Sequence, residues 1–358
     1  MKLDVRLRTD LVHAADDAAA AEAIGFDGAW TTENQCDGFL PLVAAASASS
    51  RLHVGPSVAI AFARTPMTVA YLASDLQRLS GGRFLLGLGT QIRPHVEKRF
   101  SMPWSRPAER MREFVVALRA IWQAWEDGSD LDVRGEFYTH TLMTPAFRSP
   151  PHPHGPPPVL LAAVGPRMTR VAGEVADGLL AHPFTTERYL REVTLPLVAA
   201  GRAAAERTSR FEIGLSAFVA TTDAEVAAVR RQIAFYGSTP AYRPVLDLHG
   251  WGDLQVELNR LSKQGRWDDM TSLIDDEVLE AMCCVGSVGT IAAELWRRYG
   301  DVADRVRFNL PGEVPAPEHW ATLVDACRAQ ARSASSASSV SNASSSFRND
   351  PGTASPSS

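Results

Sequence analysis

Along this chain, short apolar runs alternate with longer stretches whose apolar side chains recur every three or four residues. The short runs are Leu3-Asp-Val-Arg-Leu7, Gly28-Ala-Trp-Thr-Thr-Glu33, His53-Val-Gly-Pro-Ser-Val-Ala-Ile60, Arg83-Phe-Leu-Leu-Gly-Leu-Gly89, Pro158-Val-Leu-Leu-Ala-Ala163, Leu179-Leu-Ala-His182, residues 211–219 and Arg305-Val-Arg-Phe-Asn309. Each reads as a strand. The helical spacing falls at 11–24, 67–79, 106–125, 166–176, 186–206, 223–236 and 290–299. Punctuation agrees with this division: Gly25 follows the first helix, Ser80-Gly81-Gly82 closes the second, and Pro166 opens the fourth at the position where a missing N–H costs nothing. Strand and helix in alternation predict a parallel sheet, and eight repeats are what closes such a sheet on itself. The predicted fold is α/β, a single TIM-type (β/α)8 barrel over residues 1–330.

Four segments depart from the rhythm. The first strand carries Asp4, Arg6 and Arg8 opposite its apolar side, which is unusual for a strand covered on both faces. Ser149-Pro-Pro-His-Pro-His-Gly-Pro-Pro-Pro158 has six prolines in ten residues and predicts an extended connector. Residues 241–284 break the period and read as a helical insertion before the last strand, lying at the barrel mouth. The 28 residues from Ala331 hold twelve serines and almost nothing apolar, so 331–358 predict a disordered tail.

Composition narrows the function. A chain of 358 residues, 45% hydrophobic, has ample material for a large core. The net charge of −5, with no long Lys/Arg cluster, argues against nucleic acid as partner. No run approaches the roughly 18 apolar residues of a membrane span, and the charged start Met1-Lys2-Leu3-Asp4 is no secretory signal. Four cysteines without C-x-x-C spacing read as free thiols, so the expected compartment is the cytoplasm. His152 and His154 have no Asp, Glu or Cys at ligand spacing, so no metal site is expected.

In a barrel of this kind the chemistry sits at the C-terminal ends of the strands. That rule selects Glu33 and Asn34, residues 59–64, Gly89-Thr90-Gln91 through His95, Gly165-Pro-Arg-Met-Thr169, and His182. Glu33 is either a proton carrier in a dry pocket or one half of an ion pair. His95 is either functional or a surface loop residue, and His182 either a proton shuttle or an ordinary satisfied histidine. Around Gly165 a glycine turn meets a helix N-terminus, with Arg167 and the Thr169 hydroxyl beside it. That is either a phosphate cradle or a plain turn. Phe100, Trp104, Trp122 and Trp125 are either the wall of an apolar, uncharged pocket or core.

Gly25-Phe-Asp-Gly-Ala-Trp-Thr-Thr-Glu33, Phe62-Ala-Arg-Thr-Pro-Met67 leading to Leu79-Ser-Gly-Gly-Arg-Phe-Leu-Leu-Gly-Leu-Gly89, Phe100-Ser-Met-Pro-Trp-Ser-Arg-Pro107, and Gly165-Pro-Arg-Met-Thr-Arg-Val-Ala-Gly-Glu-Val-Ala-Asp-Gly178 together resemble the bacterial luciferase-like superfamily. Within it the chain is most similar to a branch of actinobacterial oxidoreductases assigned to the deazaflavin coenzyme F420. The resemblance implies a non-proline cis peptide at Ser57-Val58, before Ala59, and an acidic position beside the ring at Glu33. It implies ring contacts from Gly89, Thr90, Gln91 and His95, and a backbone cradle for the phosphate-bearing tail at Val164, Gly165, Arg167, Met168 and Thr169. Glu33 and His95 are then the catalytic candidates, a small apolar molecule the substrate, and a homodimer is compatible. Three positions depart: Asn34 and Cys36 stand where members carry histidine, and Ile92 where sugar-phosphate dehydrogenase members carry glutamate. A phosphorylated sugar is therefore not the expected substrate. Two other readings fit the same chain, an FMN-dependent monooxygenase and a non-catalytic barrel that binds cofactor or ligand.

Overall fold

The computed structural model describes residues 1–8, 10–311 and 317–346, the last of these from 335 onward by backbone alone. Its centre is a ring of eight parallel strands: β1 (Lys2–Arg6), β2 (Gly28–Thr31), β3 (His53–Pro56, resuming at Ala59–Ile60), β4 (Leu86–Gly89), β5 (Val159–Ala163), β6 (Gly178–Ala181), β7 (Glu212–Ala220) and β8 (Arg305–Asn309). Neighbours around the ring follow chain order. The two halves of β3 join β4 through the Val54–Phe84 bridge and the Ala59–Leu88 pairing. The ring closes where β8 pairs with β1, Lys2 opposite Arg305 and Asp4 opposite Arg307. Every strand therefore ends on the same side, and that side is where polar loop groups can converge.

The alternation that looked anomalous in β1 follows from its two surroundings. Leu3 and Leu7 point outward into the layer between strands and helices, where the main core lies. Asp4 points into the lumen and is 1% exposed. There its Oδ2 accepts from Trp30 Nε1 at 2.7 Å and from Arg305 Nη1 at 2.8 Å, while Arg305 Nε donates to Glu212. The opposite wall of the lumen is apolar, formed by Trp30, Leu85, Leu160 and Leu180. The barrel is thus lined by an ionic half and an apolar half.

Other expectations meet the structure with small differences. The proline connector is not a domain boundary, because Leu86 and Val159 on its two sides are paired in the sheet. The insertion is helical, with helices Arg243–Leu248, Gly252–Lys263, Trp267–Ser272 and Asp276–Met282. Cys283 and Cys284 fall outside it, in a short strand Cys283–Val285 alongside the end of β7. The insertion packs a second core, including Leu246, Leu258 and Met270, onto Phe184 and Phe218 at the C-terminal side of the barrel. Helices Leu40–Ala48 and Arg93–Lys98 escape the sequence pattern; the first is apolar nearly throughout and so shows no periodic stripe. The last helix, Pro317–Ser346, runs beyond Ala331, where the tail is expected to begin; residues 347–358 of that tail lie outside the described residues. All four cysteines are unpaired, Cys36 exposed and the other three buried.

Removing Asp4 leaves Arg305 short of a partner and Trp30 Nε1 without its acceptor. Breaking a buried ion pair from one side costs about 3–5 kcal/mol. Asp4→Ala is expected to lower the unfolding free energy by that order in a urea titration, with the slope of the transition unchanged.

Candidate active site

At the end of β2, Glu33 is 7% exposed, and both carboxylate oxygens are engaged. Oε2 accepts from the Ile60 N–H at 2.7 Å and from Arg64 Nη1 at 2.8 Å, while Oε1 faces Arg64 Nη2 at 2.8 Å. Arg64 also reaches Asp37 at 2.9 Å, and Asp37 in turn accepts from the Phe39 and Leu40 N–H groups that open the next helix. Burial alone would lower the Arg64 pKa, yet the two carboxylates hold it above its ordinary value. The ion-pair reading of Glu33 is the one the geometry carries. Its chemistry is to tie the β2 loop to the backbone just beyond residues 57–58.

Those residues interrupt β3. The Ser57-Val58 peptide is cis, as the resemblance implies. The Ser57 N–H donates to the Thr31 carbonyl at 2.8 Å, and Val58 packs onto the apolar half of the lumen, with Ala59 buried behind it. Gly89 makes room for Val58: a Cβ at position 89 would lie 2.5 Å from Val58 Cγ2. Past Gly89, Thr90 donates its hydroxyl to the Gln91 carbonyl, and Gln91 adopts a left-handed φ of 62°. His95 follows on the short helix Arg93–Lys98, exposed and making no direct contact with Glu33. The two loops are nevertheless stapled together, since Arg99 Nη2 donates to the Asn34 carbonyl at 2.9 Å.

Across the rim, Val164 leads into the turn that opens helix Pro166–Val175. Gly165 is its N-cap, with no side-chain cap. Pro166 has no N–H, and the Thr169 N–H is used by the Gly165 carbonyl at 3.0 Å, which leaves the N–H groups of Arg167 and Met168 unclaimed at the positive end of the helix. The Thr169 hydroxyl is not available as sequence reasoning supposes: it is buried and bonded to the same carbonyl at 3.1 Å. Gly165 has an ordinary φ of −85°, and a Cβ there would meet nothing within 4 Å. Neither backbone conformation nor protein packing demands glycine at this position. What a side chain would fill is the approach to the two unclaimed N–H groups.

His182, just past β6, is a satisfied histidine. Its Nδ1 accepts from the Phe184 N–H at 3.1 Å, and its Nε2 lies 3.0 Å from the Tyr242 hydroxyl. Burial, with the Arg307 charge in support, pushes it down to about 3, so the ring is neutral. A neutral ring that accepts at Nδ1 carries its proton on Nε2 and donates it to Tyr242 Oη. The Tyr242 O–H is thereby left to donate elsewhere. Tyr242 comes from the insertion and stacks on His182 with centroids 4.5 Å apart.

Two lumen residues were invisible as site candidates in the sequence. Arg307 on β8 and Ser216 on β7 line, with Ser57, Trp30, Leu180 and others, a small cavity inside the barrel. The signal was present in the alternation of β8, Arg305-Val-Arg307, which matches that of β1. The aromatic wall goes the other way: Trp122 and Trp125 are core, and Trp104 packs edge-on against Phe62, so none of them lines this cavity. Among the described residues no three His, Cys, Asp or Glu side chains meet as a metal site requires, and no helix is long and apolar enough to cross a membrane.

A family model described as luciferase-like monooxygenase matches residues 5–305. An uncharacterised protein of Mycobacterium tuberculosis is 57% identical over 313 residues, covering 86% of this chain and 92% of its own length. A second protein of that organism, provisionally named a coenzyme F420-dependent oxidoreductase, is 30% identical over 308 residues, 80% of this chain and 88% of its own. Among solved structures, the coenzyme F420-dependent tetrahydromethanopterin reductase of Methanopyrus kandleri superposes with a TM-score of 0.74 at 20% identity, over 90% of this chain and 96% of that one. The oxygenating constituent of 3,6-diketocamphane monooxygenase from Pseudomonas putida, in complex with FMN, superposes with a TM-score of 0.62 at 15% identity, over 90% and 96%.

The neutral His182 has a pH signature. Its pKa is depressed in the fold, so its contribution is present in full above about 6.5 and is lost as pH falls toward 3. Unfolding in that window takes up one proton at this site, a slope of up to about 1.4 kcal/mol per pH unit. His182→Gln should flatten the acid limb of a stability-against-pH curve by that amount.

Proposed function

The chain belongs to the luciferase-like monooxygenase family, and from that premise we propose that it is an F420-dependent oxidoreductase acting on a small organic molecule at the barrel mouth. Bound F420 would supply hydride chemistry at the C5 of its deazaflavin ring; the rest is positioning and electrostatics from the protein. The observation that carries this reading is the turn at Gly165. An uncapped helix N-terminus with two unclaimed N–H groups, and open space where a Cβ would stand, fits the anionic tail of such a coenzyme. Val164, Arg167 and Met168 flank it on the same rim.

The residues of the opposite rim fit a ring shelf. Glu33 and Arg64 fix the backbone beyond Val58, and Gly89 lets that backbone sit close to β4. Thr90 and Gln91 shape the adjoining loop, with His95 at its outer edge. Glu33 holds this shelf in place as one half of an ion pair. Proton handling falls instead to the Tyr242 hydroxyl, whose own acceptor role toward His182 leaves its proton free to be shared, or to water.

The test is a titration of the purified protein with F420, followed by absorbance and fluorescence, beside an identical titration with FMN. We expect micromolar F420 affinity and weaker FMN binding. Gly165→Val should weaken F420 at least roughly tenfold while changing stability by less than about 1 kcal/mol, since the new Cβ meets no protein atom within 4 Å. FMN binding with flavin-dependent oxygen consumption would shift the assignment to a monooxygenase; saturable binding without turnover on enones, imines, quinones and alcohols would favour a non-catalytic barrel.

A further inference from the structure

Three buried polar atoms in the lumen have no hydrogen-bond partner among the described residues: Asp4 Oδ1, Arg305 Nη2 and Arg307 Nη1. They come from neighbouring strands. Asp4 of β1 stands in register opposite Arg307 of β8, and Arg305 lies at the inward position below Arg307. The other atoms of these groups are employed. Asp4 Oδ2 accepts from Trp30 and Arg305, Arg305 Nε donates to Glu212, and Arg307 Nη2 reaches Ser216 Oγ at 3.3 Å.

Asp4, Arg305 and Arg307 line one cavity, with Trp30, Leu180 and Ser216 on its other walls. The centre of a water-sized molecule has about 20 Å³ to occupy there. A single ordered water needs roughly 10–15 Å³ by that measure, together with two to four polar partners. An organic molecule does not fit.

The partners also decide what kind of small species fits. The guanidiniums offer N–H donors and no acceptor, and the carboxylate offers acceptors and no donor. Burial pushes Arg307 down to about 10, so it keeps its proton at neutral pH. Arg305 and Arg307 then stand against the carboxylates of Asp4 and Glu212, and the group is neutral as a whole. A chloride ion would suit the donors and be repelled by Asp4. A metal cation or an ammonium ion would suit Asp4 and be repelled by two guanidiniums. A neutral molecule that accepts and donates at one atom serves all three.

We propose that one ordered water occupies this cavity, accepting from Arg305 Nη2 and Arg307 Nη1 and donating to Asp4 Oδ1. Three bonds are the usual complement of a buried water. This one joins the Arg305 layer to Arg307 and fixes the upper guanidinium beneath the mouth. It also fills the floor of the lumen, so a ligand of the barrel lies above Arg307, among the rim loops. The inference goes beyond the reading above and holds whichever cofactor the protein takes.

The first test is a high-resolution crystal structure of the full chain, with a second crystal soaked in sodium bromide. One water peak within hydrogen-bond distance of Asp4 Oδ1, Arg305 Nη2 and Arg307 Nη1, without anomalous signal from bromide, is the expected result. An empty cavity, a bromide peak in it, or an Asp4 carboxylate turned to bond Arg307 directly would each overturn the assignment. The second test is made in solution by oxygen-17 magnetic relaxation dispersion, which counts waters held inside a protein for longer than it tumbles. Arg307→Met removes one donor and sets an apolar side chain on the cavity wall, so the dispersion amplitude should fall by one water. An unchanged amplitude in the folded variant would overturn the proposal as well. The crystallographic comparison needs no variant and decides the matter even if Arg307→Met does not fold.

Discussion

The barrel depends on one buried guanidinium. Arg305 sits inside the ring where the last strand meets the first, bonded to Asp4 across 301 positions of sequence and to Glu212 on β7. It also lies over the Trp30 ring at 5.3 Å, so four strands are referenced to a single side chain. Charges taken out of water must satisfy one another with good geometry or they destabilise the fold. The network therefore selects one register between β8 and β1: a slip of β1 by one residue would turn Asp4 outward, into the apolar layer beneath the helices, and leave Arg305 facing the lumen without it.

That register has a consequence two residues further along. The next inward position of β8 presents Arg307 to the cavity opposite Asp4, with its Nη1 finding no hydrogen-bond partner in the protein. Arg305 with its two carboxylates leaves one negative charge over, and the Arg307 guanidinium in the next layer of the same lumen offsets it. On the far side of the rim, the Glu33–Arg64–Asp37 cluster is likewise a cation surrounded by carboxylates, fully employed in fixing loops. Polar groups at the mouth divide accordingly into those whose hydrogen-bonding capacity is consumed by the fold and those with capacity left over. The N–H groups of Arg167 and Met168, the Tyr242 hydroxyl and Arg307 belong to the second kind. The Thr169 hydroxyl and the imidazole of His182 belong to the first.

Much of this architecture is legible in the chain itself. Periodicities near 2 and 3.6 in alternation, Gly25 and Ser80-Gly81-Gly82 as stops, and Pro166 as a start are local signals, and local sterics and hydrogen bonding decide them without help from distant residues. They determine eight strands, their parallel order and hence the side on which loops such as 89–95 and 165–169 gather. The alternation of charge in β1 and β8 was equally visible. Which environment faced those charges was not, because it depends on strands more than two hundred residues apart closing around a common lumen. The same holds for partner choice. Whether Glu33 finds a free proton or Arg64, whether the Thr169 hydroxyl faces a ligand or its own turn, and whether Arg307 is balanced are matters of pairing across elements, and pairing energies appear only when the elements have met in three dimensions.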